Sequence, residues 1–263
     1  MDKVSIVTVS FRSAATIRDT LRSIDEQTYP DIEYIVMDGG SGDDTLNIVK
    51  TEGKRVTRLV SEKDKGINDA YNKGMRLTTG EIIGFLNSDD YYCYNDVIAK
   101  VAKVFEDPAV DICYSDLVYV DKDDTSKIVR MWKSCPWRPG LFRIGFAPAH
   151  PTVFFRRRVC EQVGEFQVEY RYAGDFNYML RMFSLPNVKA VYVPEIWVKM
   201  RTGGRTGDGM AAIKPHFAEI SRALESQGVP YSAWRIFLYK IIDRSLQRLR
   251  APFVRLGEPG FIP

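Results

Sequence analysis

The sequence predicts an α/β protein whose first half is a parallel sheet covered by helices and whose second half is mixed α+β. Over residues 1–92, short runs rich in β-branched residues alternate with helical patterns, which is typical of βαβ units. The runs predict strands at 4–9, 33–38, 56–61 and 81–86, and helices at 14–27, 43–51 and 67–77. After residue 92 the alternation stops, so we expect the second half to complete the sheet of the first.

The second half contains fewer regular patterns. Residues 134–155 are rich in Pro and aromatic side chains, which excludes a long helix. This segment predicts a loop that is followed by a strand at 151–155. Around this loop the predicted elements are a helix at 94–106, strands at 110–121, 127–132 and 151–155, a helix at 173–183 and a strand pair at 188–200.

Length and composition are those of a globular protein with one large domain or two small ones. The 263 residues are 45% hydrophobic and 27% charged. No apolar stretch reaches the roughly 18 residues that a membrane span needs. The N-terminal sequence lacks the apolar region and cleavage site of a secretory signal, so we expect a cytoplasmic location.

The four cysteines, Cys93, Cys113, Cys135 and Cys160, do not predict a metal or redox site. They lie at least 20 residues apart and form no C-x-x-C pair, so we interpret them as structural thiols. With only 2 histidines in the chain, a zinc site is poorly supplied. Any metal must therefore use oxygen ligands.

Polar side chains follow each of the four predicted parallel strands. They are Ser10 and Arg12, then Asp38, then Ser61 to Asp64, then Asn87 to Asp90. Because ligands of such sheets lie outside the carboxyl ends of the strands, these groups should line one crevice. Each could instead be an ordinary turn residue. Four such strand ends together favour a site.

Two adjacent carboxylates, Asp89 and Asp90, end the sequence GFLNSDD. Their repulsion is tolerable when a divalent cation lies between the protein and substrate phosphates. Mg²⁺ or Mn²⁺ fits, because these ions take oxygen ligands and need only one or two carboxylates when phosphates and water supply the rest. The alternative is a solvated Asp-Asp turn.

Six sequence motifs resemble, in order and spacing, those of a family 2 glycosyltransferase with the GT-A fold. They cover roughly residues 3–207 and are IVTVSFRS (6–13), YIVMDGGSGDDT (34–45), SEKDKGINDAYNKGM (61–75), GFLNSDD (84–90), AHPTVFFRR (149–157) and AGDFNYMLRM (173–182). The resemblance implies a GT-A-like domain at 1–208, in which a Rossmann-like nucleotide-binding half at 1–92 is fused to an acceptor half at 93–208. Residues 209–263 are predicted to be a C-terminal helical extension.

The resemblance also implies roles for the strand-end residues. Asp38 would contact a uracil-like base, and Asp64 and Asn68 would help to hold the nucleotide. Ser10 and Arg12 would lie beside it, with Arg12 where the family frequently has Asn. From the local sequence alone, Asp64 and Asn68 are equally typical of an ordinary helix start.

The NSDD sequence corresponds to the metal motif of the family. By resemblance, Asp89 is the metal ligand, and Asp90 either assists it or caps the turn. Asn87 replaces the first acid of the motif. This departure keeps a ribose contact available and removes one charge from the site.

By the same resemblance, Asp175 is the general base of an inverting enzyme. A positioned carboxylate can take the acceptor hydroxyl proton during one in-line displacement, while a cation neutralises the departing nucleoside diphosphate. His150 would lie near the substrate, and Arg205, in the basic loop RTGGRTG, would help to close over phosphates. From the local sequence alone, Asp175 could instead be a helix N-cap, and His150 could be a buried histidine with satisfied hydrogen bonds. The RTGGRTG loop could be a linker.

Residues 232–256 predict a basic amphipathic helix. They contain six basic residues and one acidic residue, a local charge of +5. Trp234, Leu238, Ile241 and Leu249 fall on one helical face, as in helices that lie in a membrane interface. The alternative is a helix that packs on its own domain with a solvated basic face. No nucleic-acid module accompanies the charge, so nucleic acid is not a predicted partner.

Together these features predict transfer of a hexose from a nucleotide sugar, expected to be UDP-hexose, to a hydroxyl of a glycan acceptor. The basic tail suggests that the acceptor is linked to a lipid diphosphate at the inner membrane face, in the synthesis of a cell-surface polysaccharide such as O-antigen. A dinucleotide oxidoreductase is disfavoured because G-x-G-x-x-G does not follow the first strand. The alternative is a degenerate carbohydrate- or nucleotide-binding protein of the same fold, because Asn87 has replaced an acid.

Overall fold

The computed structural model describes residues 2–203 and 210–256. The strands are β1 Val4–Ser10, β2 Ile32–Asp38, β3 Val56–Ser61, β4 Ile82–Phe85, β5 Tyr91–Tyr92, β6 Ile112–Val120, β7 Ile128–Trp132, β8 Phe154–Arg156 and β9 Ala190–Arg201. The helices are α1 Ile17–Asp25, α2 Thr45–Glu52, α3 Ile67–Leu77, α4 Val97–Val104, α5 Arg157–Val163, α6 Gly174–Phe183, α7 Met210–Ser226 and α8 Ala233–Arg250. Short 3₁₀ turns occupy Leu141–Ile144, His150–Thr152 and Ala251–Phe253.

One mixed sheet runs through both halves of the described chain. Its order is β3-β2-β1-β4-β8-β6-β9-β5, and β7 pairs with β6. Strands β1 to β4 are parallel, as predicted. Strand β8 lies antiparallel between β4 and β6 and so joins the two halves. The prediction that the second half completes the first sheet is therefore confirmed.

The core lies on both faces of this sheet, because adjacent residues of a strand point to opposite sides. In β1, Val7 packs with α3 and α6 residues, whereas Ile6 packs with α1 and α4 residues on the other face. In β8, Phe155 packs on the same face as Val7, and Phe154 packs on the same face as Ile6. Burial on both faces explains why these strands read as continuous apolar runs rather than alternating ones.

The predicted strand pair at 188–200 is wrong, because residues Ala190–Arg201 form the single strand β9. Pro194 lies in this strand and has no N–H to donate to a neighbour. The register with β6 shifts at this point: Tyr114 pairs with Tyr192, but Asp116 pairs with Ile196. The extra residues of β9 form an irregularity that accommodates the proline without a turn.

Two other elements differ from the sequence prediction. The strand expected at 151–155 begins only at Phe154, since residues 150–152 form a 3₁₀ turn. Helix α5 was not predicted. It follows β8 without a loop, and the run of arginines at 156–158 contains no conventional N-cap residue that would announce a helix.

Helix α8 confirms the predicted tail helix and leaves most of its apolar face exposed. It packs against β7 and the turn at 251–253, and its fully buried side chains are Ile236 and Gln247. Trp234 and Leu249, by contrast, are 66% and 67% exposed. Within the described residues, no helix combines the length and the apolar character needed to cross a bilayer.

Asp116 gives the fold a specific pH dependence. It is buried in β6, where its Oδ1 accepts hydrogen bonds from the Ser134 N–H at 2.7 Å and the Tyr192 hydroxyl at 2.9 Å. Burial raises the pKa of this carboxyl to about 6. Because an unfolded Asp titrates near about 4, the folded protein binds the proton more tightly, and stability should fall as pH rises from about 4 through about 6.

We expect Asp116→Asn to remove this pH dependence, because Asn keeps the Oδ1 acceptor and cannot ionise. The free energy of unfolding of the variant, relative to wild type, should rise by about 2 to 3 kcal/mol between pH 4 and pH 7 and then stay constant. Urea unfolding at a series of pH values measures this difference. A difference that does not change with pH would contradict the assignment.

Candidate functional site

The ends of β1, β2 and β3 meet around the carboxylate of Asp38. The sheet register places Ser10 and Ser61 on either side of it. Asp38 Oδ2 accepts hydrogen bonds from the Ser61 hydroxyl at 2.7 Å and from the N–H groups of Gly40 at 3.0 Å and Ser41 at 2.9 Å. Oδ1 accepts only one longer bond, from the Ser10 hydroxyl at 3.4 Å. Asp38 thus shapes the loop after β2 and keeps one oxygen less occupied.

Asp64 approaches the same loop from the end of β3. Its Oδ1 accepts a hydrogen bond from the Gly66 N–H at 2.8 Å. A β-carbon on Gly39 would lie 2.4 Å from Asp64 Oδ2, so only glycine permits this approach. On the other side, Arg12 adopts a positive φ of 53°, and its N–H donates to the Ser41 hydroxyl at 2.7 Å.

Asn68 lies at the junction of the two halves. Its Nδ2 donates to the carbonyl oxygens of Gln167 at 3.0 Å and Tyr170 at 2.8 Å. A β-carbon on Gly174 would also contact the Asn68 amide, so the side chain holds the segment before α6 onto α3. Its predicted contact with a nucleotide stays a prediction. The predicted Arg205 lies outside the described residues.

The NSDD sequence directly follows β4, and Asn87 links it to α3. Tyr71 donates its hydroxyl proton to Asn87 Oδ1, and Asn87 Nδ2 donates to Asp90 Oδ2 at 3.1 Å. The backbone is clamped as well: the Thr20 hydroxyl donates to the Asp90 carbonyl at 2.7 Å, and Arg201 Nη1 donates to the Asp89 carbonyl at 2.8 Å. Thr20 and Arg201 therefore hold the backbone of the two acids, and the charge of Arg201 also acts to lower the pKa of both carboxyls.

Burial sets the electrostatics of this acid pair. It raises the pKa of Asp89, and burial together with the charge of Asp89 raises the pKa of Asp90 well above its usual range. Asp90 is 0% exposed, and its Oδ1 has no hydrogen-bond partner in the part of the chain that the structure describes. Across residues 2–203 and 210–256, no Lys or Arg forms a salt bridge with either carboxylate.

The residues present fit a divalent cation that is shared with a ligand. An unsatisfied Asp90 oxygen and the adjacent Asp89 supply hard oxygen donors. The described residues contain no group of three His, Cys, Asp or Glu side chains that could hold a metal alone. Mg²⁺ and Mn²⁺ commonly take the remaining positions from phosphate oxygens and water.

Tyr71 lies at the centre of the site, although the sequence did not predict it. It is buried, and its ring contacts Phe85, His150 and Phe166 with centroids 4.8, 5.3 and 5.1 Å apart. Burial raises the pKa of its hydroxyl well above the usual range, and the charges of Asp175, Asp90 and Asp89 raise it further. The charges of all three acids thus act on one buried hydroxyl. An aromatic residue in the helical sequence INDAYNKGM reads as ordinary core, so only the fold could identify it.

Asp175 is exposed in the first turn of α6, where the helix dipole favours a negative charge. The interpretation of Asp175 as the helix N-cap is wrong, because the N-cap residue is Ala173. Glu219 of α7 fixes the segment before the helix. Its carboxylate accepts three backbone hydrogen bonds, from Arg171 at 2.9 Å and from Tyr172 and Ala173 at 2.8 Å each.

His150 lies beside Tyr71, where the charge of Asp175 also acts on it. It is 8% exposed, and its ring stacks on Phe85 at 5.5 Å. Burial lowers its pKa, and the charge of Asp175 acts in the opposite direction. Its Nε2 finds no partner among the described residues, so it is not the fully satisfied core histidine that the sequence left open.

The structure thus brings the predicted residues together in two groups. Asn87, Asp89, Asp90, His150 and Asp175 gather around Tyr71. Ser10, Asp38 and Asp64 gather at the ends of β1 to β3. Glu219 and Tyr71 were missed, because their partners come from distant parts of the chain.

This arrangement, a Rossmann-like sheet whose strand ends lead to an acid pair, is that of the GT-A glycosyltransferase class. The model of glycosyl transferase family 2 matches residues 5–163. The chain belongs to this family. Helices α7 and α8 lie beyond the match.

Two curated relatives show the range of the similarity. The chain is 32% identical over 192 residues to a PGL/p-HBAD biosynthesis glycosyltransferase of Mycobacterium bovis, covering 72% of this chain and 73% of the relative. It is 33% identical over 124 residues to the Escherichia coli UDP-Glc:alpha-D-GlcNAc-diphosphoundecaprenol beta-1,3-glucosyltransferase WfaP, covering 47% of this chain and 49% of the relative.

Solved structures confirm the GT-A fold. S. aureus TarS 1–349 in complex with UDP-GlcNAc superposes with a TM-score of 0.66 at 15% identity, covering 94% of this chain and 74% of TarS 1–349. The mannosyltransferase PcManGT from Pyrobaculum calidifontis, in complex with GDP-Man and Mn²⁺, gives a TM-score of 0.62 at 22% identity, covering 84% of this chain and 64% of that one. At these identities the likeness concerns the fold alone.

We expect Glu219→Gln to reduce turnover by disturbing the position of Asp175. The glutamine amide nitrogen would face backbone N–H donors, which should cost about 1 to 3 kcal/mol of stability and loosen the start of α6. The kcat should fall about tenfold while the KM for the donor stays close to wild type, because the nucleotide half is untouched. The control is Glu225→Gln. Glu225 is also on α7, and its carboxylate accepts an exposed hydrogen bond from the Tyr231 hydroxyl. Wild-type kcat in Glu219→Gln would contradict the positioning role.

Proposed function

We propose that this protein is an inverting glycosyltransferase that moves a hexose from a nucleotide sugar to a hydroxyl of a glycan acceptor. The observation that carries the proposal is that Asp175 and the pair Asp89 and Asp90 are all close enough for their charges to act on the buried Tyr71 hydroxyl. One carboxylate is exposed at a helix start, and the other two form no salt bridge with a Lys or Arg of the described residues. An acceptor-side base and a phosphate-side metal site would then flank the donor sugar.

In this mechanism Asp175 accepts the proton of the attacking hydroxyl as the new bond forms. Asp175 lies in the first turn of α6, and Glu219 accepts hydrogen bonds from the backbone just before that turn. A single in-line displacement with an external base inverts the anomeric centre. A divalent cation held by Asp89 and Asp90 would supply charge neutralisation for the departing diphosphate. His150, neutral at physiological pH because burial lowers its pKa, can act as a polar wall of the site.

The donor proposed is a UDP-hexose. Asp38 keeps Oδ1 less occupied at the end of β2, so an N–H of a uracil ring could donate to it. Ser10, Arg12, Asp64 and Asn68 would complete this nucleotide side, and Arg205 would close over the phosphates. TarS is seen with UDP-GlcNAc and WfaP uses UDP-Glc, whereas PcManGT is seen with GDP-Man. These relatives support a nucleoside diphosphate sugar, with Mn²⁺ or Mg²⁺ as the cofactor.

Asn87 is compatible with activity rather than with a degenerate site. Its amide both accepts from Tyr71 and donates to Asp90, and a third carboxylate here could not donate to Asp90. The substitution therefore removes one repulsive charge and fixes the orientation of the remaining acids. A degenerate binding protein of the same fold is the alternative that activity measurements test.

We expect Asp175→Asn to lower kcat by about 10²- to 10⁴-fold while nucleotide binding persists, because the amide cannot accept the proton. Asp89→Asn should lose both turnover and the metal dependence of nucleotide binding. Nucleotide release from a panel of sugar nucleotides, with Mn²⁺ or with chelator, measures turnover, and calorimetry measures binding. Asp123→Asn, in an exposed turn, is the matched control. Full turnover of Asp89→Asn in chelator would contradict the metal assignment, and wild-type turnover of Asp175→Asn would remove it as the base.

We further propose a lipid-diphosphate-linked acceptor and a cytoplasmic enzyme held on the inner face of the membrane by α8. The name of WfaP specifies an acceptor on diphosphoundecaprenol. In this chain, α8 exposes Trp234, Leu238, Ile242 and Leu249 by 40% or more on one side. An exposed apolar stripe bordered by arginines suits an anionic lipid surface.

We expect replacement of Trp234, Leu238, Ile242 and Leu249 by Gln to abolish sedimentation with anionic vesicles. Each lost side chain removes about 1 kcal/mol or more of apolar burial. Truncation after Pro230 would also remove binding, but it exposes the core contact of Ile236, so substitution is the cleaner experiment. Val168→Gln, at a 45% exposed position elsewhere, is the control. Vesicle binding equal to wild type in the substituted protein, with turnover intact, would refute membrane attachment through α8.

A further inference from the structure

A groove between α7 and α8 combines apolar walls with positive charge. It encloses about 120 Å³ and is lined by four apolar residues, Ile213, Phe217, Phe237 and Ile241, and by the basic residues His216, Lys240 and Arg244. On α8, positions 237, 240, 241 and 244 have the spacing of a single helical face. Within the described residues no acidic side chain lines the groove.

The groove lies next to the acceptor-side acid. His216 Nδ1 is 2.9 Å from the carbonyl oxygen of Tyr172, three residues before Asp175. The Lys240 stem lies over the loop before His150, because a β-carbon on Gly145 would be 3.5 Å from Lys240 Cε. The charge of Asp175 is felt at both basic groups: burial lowers the pKa of Lys240 and of His216, and Asp175 acts against this at each.

Within the described residues, no acidic side chain forms a salt bridge with the positive charge of the groove. Lys240 and Arg244 form no salt bridge within residues 2–203 and 210–256. The nearby Asp243 is occupied, since its Oδ2 accepts a hydrogen bond from Gln247 Nε2 at 2.7 Å. Arg130 adds further charge from β7 and lies over the Tyr119 ring at 4.1 Å. A half-buried ammonium beside an apolar wall is most stable when an anion binds to it.

The chemistry of the ligand follows from the apolar walls of the groove, from its positive charge and from the position of α8. Phosphate oxygens complement Lys240 and Arg244. Phe237 and Ile241 border both the groove and the exposed stripe of Trp234 and Leu238, so an apolar chain could pass from the groove to the outer face of the helix.

We propose that the α7–α8 groove binds the phosphate-bearing end of an amphiphilic acceptor, with Lys240 and Arg244 on the phosphate and Phe237 and Ile241 against the first units of its apolar chain. This inference rests on the proposed transfer to a lipid-linked acceptor, and it assigns the acceptor's anchor to residues of this chain. The acceptor sugar would then extend from the groove towards Asp175.

The first test is binding, which needs no turnover. Calorimetry with farnesyl diphosphate below its micelle concentration should show binding to wild type that weakens at least tenfold in Lys240→Met/Arg244→Gln. Lys214→Met/Arg235→Gln removes the same charge from α7 and α8 outside the groove and should bind as wild type does. Farnesol should bind the wild type at least tenfold more weakly than its diphosphate. If the groove variant binds farnesyl diphosphate as tightly as wild type does, whether at the nucleotide site or elsewhere, the proposal is overturned.

The second test separates the groove from the reaction. With acceptors of one sugar and one chain length, the groove variant should raise the KM at least tenfold for a diphosphate-linked acceptor, and leave the KM for a neutral alkyl glycoside unchanged. Equal losses with both acceptors would overturn the proposal, because the two residues would then act on the fold or on Asp175. If wild type transfers to neither acceptor while the binding difference persists, the proposed function fails and the groove assignment stands.

Discussion

The structure depends on two neighbouring carboxylates, Asp89 and Asp90, which follow a buried strand and form no salt bridge with a Lys or Arg of the described residues. Placing them there is unfavourable, because burial and mutual repulsion both oppose their ionised forms. The chain offsets this cost with neutral donors and backbone clamps: Asn87 donates to Asp90, while Thr20 and Arg201 hold the two carbonyl groups. Even so, Asp90 Oδ1 keeps no hydrogen-bond partner among the described residues.

Helix α3 connects this acid pair to the second half of the molecule. On one side of the helix, Tyr71 donates to Asn87. On another, Asn72 forms two hydrogen bonds of 2.8 Å with the backbone of Phe166, and Asn68 holds the segment that follows. That segment leads directly into α6 and Asp175. One helix thus links the acid pair to the segment that leads to Asp175.

Much of the fold and of the candidate site could be predicted from the sequence, because the signals were local. The four parallel strands and the polar residues after them follow from alternation and from the rule that such sheets bind ligands at their carboxyl ends. Tyr71 and Glu219 could not be predicted. A buried tyrosine in an amphipathic helix looks like core, and a glutamate whose partners are backbone N–H groups about 45 residues away carries no local signature. The single strand β9 was missed for a related reason, since Pro194 reads as a turn and only the shifted pairing with β6 shows otherwise.

The measurement that tests the central claim most directly is thermal unfolding of the wild-type protein with Mn²⁺ and with UDP, GDP or dTDP, separately and together. If the acid pair is completed by a cation that a nucleoside diphosphate shares, Mn²⁺ and one of these nucleotides together should raise the Tm by more than the sum of their separate effects. A ligand at a concentration of about 100 times its Kd stabilises the folded protein by roughly 2.7 kcal/mol. The excess should vanish in Asp89→Asn. Additive shifts with all three nucleotides, or an undiminished excess in Asp89→Asn, would contradict the account.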